Sequence, residues 1–176
     1  MASQSLISAV NSYDNYIQRK GIDEQVIDAY IEACRVAING EKDITYGLQI
    51  TNRSKGIVER FCMDRTGGRI LDLEKYSLVD DYYKILLIEA HYQFESFMLY
   101  MEKNRPVEER FYQPRINPLR QVAQLIQDLY DDVLDEGMVF CPGRIGKTQI
   151  VKMGNLWFGS NRPERSNLYS AYSDKI

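Results

Sequence analysis

The chain has 176 residues, of which 44% are hydrophobic and 27% charged, and a formal net charge of −3. That composition excludes a disordered or collagen-like polymer and supplies enough apolar surface for a core. No stretch approaches the roughly 18 to 20 apolar residues of a membrane span, and Met1-Ala2-Ser3-Gln4-Ser5 lacks the basic and apolar regions of a secretory leader, so an intracellular protein is expected. Cys34, Cys62 and Cys141 form no close pair and His91 is the single histidine, which argues against a disulfide framework or a zinc site. Glu89, His91 and Glu95 have a spacing that would suit a metal, but solvated helix positions are the plainer reading. Residues 1–102 carry 11 basic and 16 acidic side chains, whereas 103–176 carry 11 and 9. A DNA-gripping surface is therefore not expected on the front half and only a local one on the rear.

Leu6, Ile7, Val10, Tyr13 and Ile17 recur at helical spacing and stop at Gly21, which predicts a first helix. Ile22, Val26, Tyr30 and Cys34, with Ile27, Ile31 and Ala37, trace one broad face ending at Gly40, which predicts a second helix antiparallel to the first. From Glu41 to Ser77 the pattern supports only a short helix around Ile57 to Cys62 and a turn at Gly67-Gly68. Asp80 to Glu102 reads as one long helix, with Tyr83, Leu86, Leu87, Ala90, Phe94, Phe97, Met98 and Met101 as a core-packing stripe. After Asn104-Arg105-Pro106 and the connection Arg110-Phe111-Tyr112-Gln113-Pro114-Arg115, Asn117 reads as an N-cap and Pro118 as a first-turn residue. The helix they start runs through Leu119, Val122, Leu125, Ile126, Leu129 and Val133 and is stopped by Gly137.

Met138-Val139-Phe140-Cys141 has the continuous apolar character of a buried parallel-sheet strand, and Thr148 to Phe158 that of the helix that follows it. Between them lies Cys141-Pro142-Gly143-Arg144-Ile145-Gly146-Lys147-Thr148, a phosphate-binding loop. Polyphosphate recognition requires inward backbone N–H groups, a helix N-terminus, a mobile cation and a hydroxyl for Mg²⁺. Gly143 and Gly146 allow the curl, Lys147 supplies the cation and Thr148 the hydroxyl. The general pattern begins with a glycine where this chain has Cys141. Leu168-Tyr169-Ser170-Ala171-Tyr172, after Asn161-Arg162-Pro163, reads as a second strand that closes a right-handed βαβ unit. The expected fold class is α/β: a helical region over 1–103, then over 104–176 the incomplete beginning of a P-loop NTPase parallel sheet.

Three of these segments, taken in order, resemble the start of the ATPase domain of bacteriophage large terminase subunits, the motors that pump viral DNA into procapsids. They are Pro142 to Thr148, Asn155-Leu156-Trp157-Phe158-Gly159-Ser160-Asn161-Arg162-Pro163, and Ser170-Ala171-Tyr172-Ser173-Asp174. Phe97 to Glu102 and Arg110 to Arg115 look like the segment that precedes it, so the resemblance spans roughly 80–176. It implies a nucleotide site formed by Pro142, Gly143, Arg144, Ile145, Gly146, Lys147, Thr148 and Gln149, with Lys147 on the β and γ phosphates and Thr148 on Mg²⁺. Arg144 would act as a cis arginine finger, against the plainer reading of a solvated loop side chain. Tyr112, Gln113 and Arg115 would lie on the adenine side, or simply pin the start of a helix. Tyr172, Ser173 and Asp174 would sit on the edge that carries the phosphate loop.

The implied ligands are ATP and Mg²⁺. The implied partners are double-stranded DNA through the full-length protein, the small terminase subunit and the portal, and the implied location is the cytoplasm of the bacterial host. Such an ATPase also needs a strand ending in Asp-Glu and, in this family, an acidic nuclease cluster. The 29 residues after Lys147 hold neither. Leu78-Val79-Asp80-Asp81 precedes the loop, and Asp131, Asp132, Asp135 and Glu136 belong to a helix or its end. The expectation is an N-terminal portion of a large terminase that binds ATP without hydrolysing it alone. Two alternatives are a non-enzymatic interaction module with a vestigial loop and another, helicase-like P-loop ATPase.

Overall fold

The computed structural model describes residues 2–62 and 77–165, and the chain divides into two compact units, Met1–Glu89 and Ala90–Ile176. The boundary thus falls at 89/90 instead of the expected 103/104. Among the described residues no helix is long and apolar enough to cross a membrane.

In the first unit, α1 (Gln4–Lys20) starts where the Ser3 hydroxyl accepts the Leu6 N–H, and ends at Gly21, whose φ of 89° carries the chain out of the helix. Helix α2 (Glu24–Arg35) is capped in the same way by the Asp23 carboxylate on the Val26 N–H. Its Val26, Ile27, Tyr30, Ile31 and Cys34 are all buried, the face that the periodicity indicates, and α2 packs against α1. A π-helical turn, Val36–Gly40, follows, and then α3 (Ile44–Cys62) occupies a stretch in which the sequence supported only a short helix. The Tyr30 hydroxyl and the Arg53 guanidinium both engage the Asp14 carboxylate, so the α1 carboxylate is shared by α2 and α3. Burial and that hydrogen bond push the Tyr30 phenol well above its ordinary value.

The long helix expected over 80–102 is in fact two, α4 (Val79–Ala90) and α5 (Phe94–Met101), interrupted at His91-Tyr92-Gln93. The break has a specific cause. In a continuous helix the Phe94 N–H would donate to the Ala90 carbonyl. Here the Trp157 indole N–H takes that carbonyl at 2.6 Å, and the Phe94 N–H donates to Gln127 Oε1 at 2.8 Å. Gln127 Nε2 in turn donates to the Tyr92 carbonyl at 3.0 Å. Two side chains from distant helices thus replace one turn of backbone ladder. Of the expected stripe, Leu86, Ala90, Phe94 and Met98 are buried, whereas Leu87 and Met101 are exposed.

Short 3₁₀ turns at Val107–Glu109 and Gln113–Arg115 lead into α6 (Ile116–Tyr130), which begins one residue before the expected N-cap Asn117 and leaves Pro118 in its first turn. Helix α6 stops at Tyr130, seven residues short of Gly137, where Asp131 caps onto the Gln127 carbonyl and Asp132 turns left-handed with a φ of 58°. Helix α7 (Lys147–Asn161) packs on α5 and α6 through Ile150 and Trp157, both buried, in a core with Phe94, Met98, Leu119, Val122 and Ile126.

The expected sheet does not form among the described residues, which are helical or irregular. Met138–Cys141 runs as irregular chain, with Met138 82% and Phe140 90% exposed. A strand exists only through pairing, and no described segment lies beside it to complete a ladder. The proposed second strand Leu168 to Tyr172, together with Tyr172, Ser173, Asp174 and the Gly67-Gly68 turn, lies outside the described residues.

A surface clasp ties the two ends of this unit's last helices. Asp132 accepts from Arg165 at 2.7 and 2.9 Å and from Arg162 at 3.1 Å, and the Arg162 guanidinium lies 4.2 Å over the Tyr130 ring. These hydrogen bonds, Arg165 first and then Arg162, hold the Asp132 carboxyl well below the ordinary carboxylate range. Because the folded value is depressed, the clasp contributes fully above the unfolded value of about 3.9 and is lost as pH falls through the folded one. Asp132→Asn should therefore lower the melting temperature at neutral pH and flatten its fall below about pH 4, read by thermal melts across pH. Trp157→Phe keeps an aromatic ring but leaves the Ala90 carbonyl unpaired, and should cost about 1–3 kcal/mol in urea unfolding.

Candidate phosphate-binding site

The start of α7 is built from backbone that alternates in handedness. Arg144 has a φ of 63° and Gly146 a φ of 104°, while Ile145 between them stays on the ordinary side. Alternation of this kind turns successive N–H groups toward a common concavity, and the first N–H groups of a helix have no intrahelical partner. Gly146 is its N-cap and adopts the left-handed conformation, so the glycine that the sequence motif requires is required here by geometry. Its carbonyl accepts from Gln149 and Ile150, both at 3.1 Å, which starts the helix ladder.

Lys147 folds back across the loop, and its Nζ donates to the Cys141 carbonyl at 2.8 Å. The lysine therefore reaches back from the start of α7 to the first residue of the loop. At the position where the pattern has glycine, Cys141 contributes its carbonyl, a group any residue supplies, and its side chain is only half-buried. Thr148 is exposed in the first turn of α7, and Pro142, Gly143 and Arg144 are exposed on the loop. Ile145 is half-buried against the core, and the buried Ile150 anchors the first turn below.

The loop rests on the segment before α6. A Cβ added to Gly146 would meet Phe111 Cε2 at 2.3 Å and Cζ at 2.7 Å, so the Phe111 ring stands directly against the loop glycine. Arg115 backs that ring, donating to the Phe111 carbonyl at 2.9 Å with its guanidinium 5.5 Å from the ring centre. Gln113 is half-buried and accepts from Arg110. The structure thus sets Arg115 behind the ring that meets the loop, whereas Gln113 is held by Arg110 and Glu102 and Tyr112 turns into the core. Its ring is fully buried and its hydroxyl donates to Glu95 Oε1 at 3.0 Å, which leaves no face for a base. Burial, with the Glu95 carboxylate beside it, pushes the Tyr112 phenol far above its ordinary value.

Beside the loop helix, Met98, Met101, Arg105, Tyr112, Gln149 and Met153 line a crevice of about 10 Å³. That is room for about one water molecule and is closed to a nucleobase. Glu89 and Glu95, two of the three residues whose spacing suggested a metal, are in ion pairs, Glu89 with Lys55 and Glu95 with Arg120. Among the described residues no group of three His, Cys, Asp or Glu side chains is placed to hold a metal ion. Thr148 is exposed in the first turn of α7, the place a hydroxyl would need for the other arrangement, in which Mg²⁺ takes most of its ligands from phosphate and water.

Comparison with known proteins finds no matching family model, no matching curated protein and no matching solved structure. Gly146→Ala forces a side chain into the left-handed region and onto Phe111, and should lower stability by at least about 1–2 kcal/mol in chemical unfolding. A destabilisation no larger than that of Gly159→Ala, where a Cβ meets open space, would contradict the packing described.

Proposed function

We propose that the chain binds the polyphosphate of ATP, with Mg²⁺, on the loop Pro142 to Gln149, as the front portion of a DNA-packaging motor of the phage large-terminase type. The observation that carries this reading is the Lys147 ammonium held across the loop on the Cys141 carbonyl, above a left-handed Gly146 that opens α7. In this arrangement the backbone N–H groups of 143–148 bind phosphate oxygens, Lys147 leaves or shares its carbonyl partner to reach the outer phosphates, and Thr148 ligates the metal. Bound Mg²⁺ would offset the negative charge of the phosphates. Arg144, exposed on the loop, is free to swing toward charge developing on the terminal phosphate. Met138–Cys141 takes up strand pairing in this reading when another strand lies beside it, as in a P-loop sheet.

Hydrolysis needs a carboxylate that activates water, so the reading assigns binding to these residues and turnover to a carboxylate pair beyond those identified. Double-stranded DNA, the small terminase subunit and the portal are the corresponding partners, in the host cytoplasm. A role in protein contact is the second reading, favoured by the exposure of Val133, Met138 and Phe140. Calorimetric titration of the chain with ATP and Mg²⁺ separates the two. Saturable binding that Lys147→Ala weakens about tenfold or more is expected, with no phosphate release. Absence of binding favours the contact role, and turnover abolished by Lys147→Ala would place a catalytic carboxylate within these residues.

A further inference from the structure

Glu102 caps the C-terminal end of α5 and is buried, only 5% exposed. Its carboxylate accepts three consecutive backbone N–H groups: Oε1 takes Phe111 and Tyr112, each at 2.6 Å, and Oε2 takes Gln113 at 3.1 Å. Phe111 and Tyr112 lie between helices and Gln113 opens the short 3₁₀ turn, so none of the three N–H groups has an acceptor in a helix ladder. An ionised carboxylate accepts on both oxygens and so matches three donors at once, which no amide does. The first of the three residues carries the ring that stands against Gly146. Glu102 therefore fixes the backbone from which Phe111 projects, and Phe111 occupies the space beside the left-handed turn from which α7 begins.

We infer that Glu102 and Phe111 are positioning residues for the phosphate loop, Glu102 by clamping the 111–113 backbone and Phe111 by transmitting that position to Gly146. The inference rests on the polyphosphate reading of residues 142–149, because what is positioned is the anion concavity. Neither side chain touches the ligand. Their effect falls on how readily the loop holds its alternating turn, and hence on phosphate affinity regardless of the base attached. Glu102→Gln keeps the size of the side chain but turns an NH₂ toward N–H donors, so at least one of the three is left without an acceptor. Phe111→Leu keeps an apolar side chain but removes the ring edge against Gly146.

The test is competition of a fluorescent ATP analogue by ATP and by inorganic tripolyphosphate, both with Mg²⁺, on the full chain as wild type, Glu102→Gln and Phe111→Leu. Thermal melts and hydrogen exchange at 143–148 are recorded on the same samples. Both ligands should weaken by the same factor in each variant, about 5- to 100-fold, with faster exchange at 143–148 and unchanged exchange in α1 to α3. Wild-type affinity in both variants would overturn the inference. So would a loss of ATP binding with tripolyphosphate binding intact, since that puts Glu102 on the base side. Should Glu102→Gln fail to fold, Phe111→Leu carries the comparison, and unaltered exchange at 143–148 in that variant overturns the coupling without any ligand. A wild-type chain that binds neither ligand fails the polyphosphate reading, and the positioning role with it, a result distinct from equal affinities.

Discussion

The Trp157 indole holds the helix that carries the loop. Its ring is fully buried between Phe94 and Tyr130, with centroids at 5.4 and 4.2 Å, and its N–H closes on the Ala90 carbonyl. A buried indole without a partner for its N–H would lose much of what its area gains, so burial and hydrogen bond stand together. With Trp157 fixed, α7 has one depth and one rotation against α5 and α6. Ile150, two turns earlier, is then buried and Lys147, at the helix start, faces the loop. The interruption between α4 and α5 is the other side of the same bond, since the carbonyl that Trp157 takes is the one a continuous helix would use.

The opposite wall of the loop is fixed by charge instead of area. Glu102 collects three N–H groups at the entry of a short 3₁₀ turn, and that segment delivers Phe111 to Gly146. One wall is therefore an aromatic core and the other a clamped turn. Between them the backbone is left-handed at Arg144 and Gly146. Preorganisation of this kind lowers what a ligand must spend on ordering the loop.

How much of this was legible follows from where the determining contacts lie along the chain. Helices α1, α2, α6 and α7 announce themselves because their apolar faces and their caps, such as Ser3, Asp23 and Gly21, are local. The break at 91–93 is invisible to periodicity, because Tyr83 to Met101 keeps a helical repeat and the groups that interrupt it, Gln127 and Trp157, stand far along the sequence. Met138–Cys141 is the converse case: an apolar run signals burial only where a second strand exists to bury it. The turn at Gly146 ahead of α7 was legible as a glycine before a helix, while the placement of Tyr112 was not, since an aromatic residue before a helix looks the same whether it faces a ligand or the core. Glu102 and Phe111 gave no separate signal. An acidic residue ending an apolar stripe is ordinarily a solvated cap, and only the fold shows it turned inward.

In the proposed function, residues 143–148 form a backbone concavity for phosphate that is held in shape before any ligand arrives. Amide chemical shifts of the labelled chain, followed while Mg²⁺ and ATP are added, address it directly. The largest and saturable shifts are expected at Arg144 to Thr148, with smaller ones at Phe111 and little change in α1 to α3. Shifts that are absent from Arg144 to Thr148, or concentrated on another surface, would contradict it.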